Sequence, residues 1–147
     1  MEDYETHRWR LDKFSIELKT GSQVRLGGGA AGVPIMSATT TIAFPAPLPF
    51  KFLVELSRLA DGNMKTGDID FDGELSVRTS DEAAAMRILA SPELRLELRE
   101  LFQSGRSLPT ASAALDQARV SVQTFDKKAV RAAIELALSV ARRVSAA

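Results

Sequence analysis

The chain has no cysteine and a single histidine, His7, among 147 residues. The first absence excludes thiol nucleophiles, thiolate zinc sites, iron–sulfur clusters and disulfides. The second leaves no imidazole pair to share a metal within one chain, and His7 as the sole candidate base for Ser-His-Asp chemistry. An excess of one charge is also lacking. The 19 basic and 19 acidic side chains cancel, which argues against a broad electrostatic footprint for nucleic acid or anionic membrane. No run approaches the ~20 apolar residues of a membrane span. The start, Met-Glu-Asp-Tyr-Glu-Thr-His-Arg, lacks the basic and apolar regions of a signal peptide. With the missing cysteine, this leads us to expect a soluble chain in a reducing cytoplasm.

The length fits one domain spanning 1–147, since domains cluster near ~100–150 residues. A chain of this size buries about 68–70% of its unfolded surface, so it needs no staple. Residues 1–8 read as a polar tail. Trp9, Leu11, Phe14, Ile16, Leu18, Val24 and Leu26 alternate, and Thr20-Gly21-Ser22 interrupts them, which predicts a hairpin turning there. A loop covers Gly27–Gly32 and a strand Ser37–Phe44, ended by Pro45, Pro47 and Pro49. Phe50–Leu59 fits strand better than helix. Asp61-Gly62-Asn63 reads as a turn. Asp68–Arg78 alternates between apolar Ile69, Phe71, Leu75 and Val77 and polar neighbours, which predicts a half-buried strand.

Thr79 and Glu82 have capping-box spacing, predicting a helix from about Ser80 to Ala90. Ser91-Pro92 restarts it, with Ser91 as N-cap and Pro92 in the first turn. Leu94, Leu98, Leu101 and Phe102 form the next stripe, closed by Gly105. Ser112–Leu115 and Ala118–Phe125 form a hairpin around Asp116-Gln117. A last helix runs from Asp126 to about Val144, its apolar face broadened by Leu136 and Val140 beyond the ~100° usual for a helix on a core. The expected fold is α+β: a mostly antiparallel sheet of five to seven strands with three helices packed on one face.

Gly27-Gly28-Gly29-Ala30-Ala31-Gly32 matches G-x-G-x-x-G. A dinucleotide site needs that loop to open a helix, and Pro34 argues against one, so no cofactor is expected. Asp68, Asp70 and Asp72, followed by Gly73, match the first half of a calcium loop, although Thr79 stands where the bidentate Glu belongs. These carboxylates are the one candidate metal or small-ligand site, against a plain reading as the wet edge of a strand. Asp70 and Asp72 also approach the ~5–9.5 Å separation of glycosidase acid–base pairs, but no aromatic platform accompanies them. His7 reads as part of an exposed tail. Arg95 and Arg99 sit beside Glu93, Glu97 and Glu100, as intrahelical pairs do.

Thr66-Gly67-Asp68, Phe71-Asp72, Leu75, Val77, Asp81, Ala85–Leu89, Pro92 and Leu98-x-x-Leu101 together resemble a bacterial domain family of unknown function, written loosely as TGD-x-x-FD-x-x-F-x-V. The resemblance covers about Pro49 to Val144. It implies a soluble domain without assigned activity, often attached to membrane-spanning helices in relatives, so a membrane-attached partner would fit. It also implies that Asp68 and Asp72 are turn and strand-edge residues.

These readings lead to an expected non-enzyme: a protein-interaction or scaffold domain, docking a partner or itself. Its expected interface is the broad face of the last helix, at Val130, Ile134, Leu136, Leu138 and Val140. Acids concentrate between Asp68 and Glu74 and bases at Arg95, Arg99, Lys127, Lys128, Arg142 and Arg143. Two such poles would suit head-to-tail contact between copies.

Overall fold

A computed structural model describes residues 3–25, 33–57, 61–102 and 110–146. Its strands are β1 (Asp3–Leu11), β2 (Phe14–Arg25), β3 (Val33–Ala43), β4 (Phe52–Leu56), β5 (Leu75–Thr79), β6 (Thr110–Asp116) and β7 (Arg119–Thr124). Its helices are α1 (Ile69–Glu74), α2 (Glu82–Leu89), α3 (Pro92–Phe102) and α4 (Val130–Ala146), the last preceded by a 3-10 turn at Lys127–Ala129. All seven strands join one antiparallel sheet in the order β1-β2-β3-β7-β6-β4-β5. The fold is α+β, as the sequence leads one to expect.

Register explains the core. One line of cross-strand partners runs Val77, Val54, Leu115, Val120, Ile42, Ile16 and Trp9, through every strand. Period-two alternation puts all of them on one face. The first six are at most 2% exposed, whereas Trp9 is 37% exposed. α4 lies over β3 and β7 and packs on α3, which reaches β6. Leu94, Leu98, Leu101 and Phe102 of α3 enter the same core, with Ala133, Ala137, Val140, Ala141 and Val144 of α4. Small alanines let α4 approach the sheet closely. Each buried Leu, Ile or Val contributes about 1.5–3 kcal/mol relative to exposure.

Several local expectations need correction. Residues 3–8 are strand, not tail: β1 pairs with β2 without interruption from Asp3↔Ser22 to Leu11↔Phe14. The hairpin turns at Asp12-Lys13, where Asp12 adopts φ 55°, a left-handed conformation that Asp tolerates better than most residues. Thr20-Gly21-Ser22 lies inside β2, with Gly21 opposite both Tyr4 and Ser37. Asp68–Glu74 is not strand but the cap and body of α1. Asp81, not Thr79, caps α2, its carboxylate accepting from Ala84 N at 3.0 Å. Thr79 stays in β5 and uses its hydroxyl on the chain around it, donating to the Lys51 carbonyl at 2.8 Å. Ser91 caps α3 as its position before Pro92 indicates, accepting from Leu94 N at 3.2 Å. The expected loop at Gly27–Gly32 and helix stop at Gly105 lie outside the described residues. Among the described residues, no helix is long and apolar enough to cross a membrane.

Candidate functional site

The acidic segment is wired inward. Asp68 caps α1, its Oδ1 accepting from Phe71 N at 3.2 Å, while Oδ2 accepts from Arg95 Nε at 2.9 Å. The Phe71 amide first, and the Arg95 guanidinium next, hold the Asp68 carboxyl below its ordinary pKa. Asp72 Oδ1 accepts from the Thr66 backbone N at 2.9 Å and the Thr66 hydroxyl at 2.8 Å; its Oδ2 accepts from Gly67 N at 2.9 Å. Glu74 receives Arg99 through two bonds, Nε at 2.7 Å and Nη2 at 3.2 Å. Phe71, fully buried between these polar ties, anchors α1 in the core, and Ile69 is left 86% exposed.

This arrangement corrects the calcium reading. A calcium loop turns three carboxylates towards one point, whereas Asp68 and Asp72 spend their oxygens on a helix cap, a loop and an arginine. Asp70 makes no bridge to either, and among the described residues no three acidic or imidazole groups could hold a metal. The paired-acid glycosidase reading loses Asp72 for the same reason.

The two charge poles also meet inside the molecule. Arg95 and Arg99 pair across to Asp68 and Glu74 rather than along their own helix. Their neighbour Glu97 takes Ser139 Oγ and Arg143 Nε, clamping α3 to α4. Hydrogen bonding to Glu74 raises the Arg99 pKa further still. At Arg95 and Arg99 the basic pole therefore fastens α3 to the acidic segment of the same molecule.

The proposed interface on α4 divides. Val140 is fully buried and Leu138 is 8% exposed, both in the protein's own core. Leu136 packs partly against that core; Val130 and Ile134 are half-buried. The broad stripe is broad because α4 lies over the middle of a wide sheet with α3 beside it. It covers the core.

His7 is exposed on β1, its Nε2 3.6 Å from the Glu5 carboxylate, and no serine hydroxyl is bonded to it among the described residues. The segment after the glycine-rich loop is β3, not the helix a dinucleotide needs. An open cleft of about 620 Å³ lies between the β1–β2 turn, the proline-rich Pro45–Leu48 segment and the end of α4. Of its three charged lining residues, Asp12, Lys13 and Arg142, Asp12 and Arg142 bond each other at 3.0 Å.

What stands out instead is a difference between the two sheet edges. Beyond β5, Met64 forms an antiparallel bridge with Val77, and Asn63 N donates to the Val77 carbonyl at 2.9 Å. Arg78 Nη2 reaches the Asp61 carbonyl at 2.9 Å. A Cβ at Gly62 would stand 2.4 Å from the Val77 carbonyl oxygen, so only glycine lets this segment lie so close. That edge is closed. β1 forms the other edge, and among the described residues nothing pairs with its outer side. It is nine residues long and holds no proline; its register with β2 has no bulge. Shortness, proline and bulges, by which proteins ordinarily blunt an edge, are thus missing from β1; charge, at Glu5, Arg8 and Arg10, is the device it does carry. Trp9 and Leu11 project from it on the core face, 37% and 41% exposed. Sequence reasoning missed this site because a polar-looking start hid the strand; the alternation from Trp9 was its only signal.

Comparison of the chain with protein families, curated proteins and solved structures finds no match. The described residues define a class: an α+β domain with a seven-stranded antiparallel sheet, covered on one face and, among those residues, closed at the β5 edge but not at β1.

Proposed function

We propose that this chain is a non-catalytic protein-interaction domain whose working surface is the open edge of β1 with Trp9 and Leu11. The observation carrying the reading is the contrast of edges: β5 is sealed by Asn63 and Met64, while among the described residues β1 offers a full, unbulged strand with nothing paired to its outer side. An unpaired strand presents a row of backbone donors and acceptors, and strand addition is a common mode of recognition. The occupied carboxylates of Asp68, Asp72 and Glu74, and the exposure of the one imidazole, fit a binding role better than a chemical one. The interface anticipated on α4 shifts accordingly, because Leu138 and Val140 already serve the core.

The reading is tested by a photo-crosslinking amino acid placed at Arg8 or Arg10 on β1, and as a control at Arg78 on β5, in cells making the full chain. Protein adducts at the β1 positions and none at Arg78 are expected. Equal yields at the two edges, or none at β1, would overturn it.

A further inference from the structure

We propose that the segment received by β1 is an extended strand of another protein, one in which acidic residues alternate with apolar ones. The proposal rests on the reading of β1 as the working edge and names the chemistry of its partner. An added strand shares the pleat of its neighbour, so the two faces of β1 specify the two faces of whatever pairs with it.

On the core face, Trp9 lies opposite Ile16 and Leu11 opposite Phe14. Ile16 and Phe14 are buried, whereas Trp9 and Leu11 stay 37% and 41% exposed. The apolar layer thus runs one strand beyond its cover. Apolar residues of an added strand, set beside Trp9 and Leu11, continue it, and aromatic and β-branched neighbours across strands are favourable pairs.

Alternation places Thr6, Arg8 and Arg10 on the opposite, wet face. Behind them β2 supplies Lys19 opposite Thr6, Glu17 opposite Arg8 and Ser15 opposite Arg10. β3 follows with the uncharged Thr39, Thr41 and Ala43. Along this border of the sheet Arg8, Arg10 and Lys19 therefore face a single acid, Glu17. That carboxylate takes only the Nε of Arg8, at 2.9 Å, and a guanidinium has further N–H donors to offer. Arg10 is exposed, and among the described residues no carboxylate pairs with it.

Opposite charges facing each other across paired strands are stabilising, and like charges are destabilising. The wet face of β1 thus selects a strand with carboxylates beside Arg8 and Arg10 and rejects one with cations there. A second β1 would bring its own arginines to the same face. Trp9 separates the two arginines in sequence, so the partner's acids stand two apart with an apolar residue between them. That alternation reads the same in either strand direction.

Trp9 is the sole tryptophan of the chain, so its emission reports on this edge directly. Three capped peptides as long as β1 are titrated into the full chain. One alternates valine and glutamate, one alternates valine and lysine, and one has the valines and glutamates of the first in two separate blocks. The alternating glutamate peptide should shift Trp9 emission to the blue and saturate at about tenfold lower concentration than the other two. Arg10→Glu, at an exposed position, should abolish the preference for glutamate over lysine and leave the thermal melt unchanged. Equal binding of the glutamate and lysine peptides, equal binding of the blocked peptide, or no shift with any of them overturns the proposal. A chain that sediments as a dimer with Trp9 already shielded from a soluble quencher gives the edge to a second copy and overturns it too. Adducts at the β1 crosslinking positions, with no shift from any peptide, would remove the acidic partner and leave the interaction reading standing. No adduct and no shift would remove both.

Discussion

The side chain of Asn63 meets the backbone of Thr79 as a neighbouring strand would. Its Nδ2 donates to the Thr79 carbonyl at 2.8 Å, and its Oδ1 accepts from the Thr79 amide at 2.9 Å. One amide side chain thereby continues the pairing that Met64 begins at Val77. Asn63→Ala removes both bonds and should cost about 1–2 kcal/mol in urea unfolding. Asn63→Asp keeps one acceptor and loses the donor, so it should fall between the two.

Two glycines of the same region should respond oppositely to alanine. At Gly62 the added methyl meets the Val77 carbonyl at 2.4 Å, and backbone cannot rotate aside; a loss of about 1–3 kcal/mol is expected, in the range of overpacked sites. At Gly73, inside α1, nothing lies within 4 Å of an added Cβ. Gly73→Ala should leave stability unchanged or raise it by about 0.4–1 kcal/mol through the unfolded chain. Thermal melts of the two variants check the contrast.

The lowered pKa of Asp68 links folding to pH. Its carboxyl is depressed by the Phe71 amide and by Arg95. The stabilisation is therefore complete above the unfolded Asp value of about 3.9 and is lost as pH falls through the lower folded value. Asp68→Asn should be less stable than the parent at pH 7, and the gap should close in acid. A gap that widened on acidification would contradict the assignment. Because the Asp68 and Asp72 carboxylate oxygens are already bonded, millimolar calcium should leave the melting temperature of the parent chain unchanged.

On α4 the cost of substitution should follow burial rather than apolar character. Leu138→Ala empties space in the core and should cost about 2–5 kcal/mol. Ile134→Ser, at a half-buried position, should cost less and leave the mass in solution unaltered. A variant at Ile134 that abolished partner capture at β1 would return the interface to α4.

The residues that announce themselves in the sequence are those whose burial matches a full period of their element. Leu94, Leu98, Leu101 and Phe102 span most of α3, and all are buried; Ser91-Pro92 marks its start. The β6–β7 hairpin and the strand at Phe52–Leu56 are legible for the same reason. α1 is not, because six residues are too few to separate a 3.6-residue period from a two-residue one. Its acids at Asp68, Asp70 and Asp72 alternate only by coincidence, since two of them look inward to hydrogen bonds. β1 escapes notice for the opposite reason. Its core face continues from Leu11 and Trp9 to His7 and Glu5, which are polar and exposed. The edge is hard to read where it is uncovered, which is where the candidate site lies.

Amide hydrogen exchange, compared between β1 and β5 in the purified chain, tests the central claim most directly. The outward-facing β1 amides should exchange fast, while those of β5, whose outer side Asn63 already bonds, should be protected. Protection along the whole of β1 equal to that of β5 would contradict an open edge at β1.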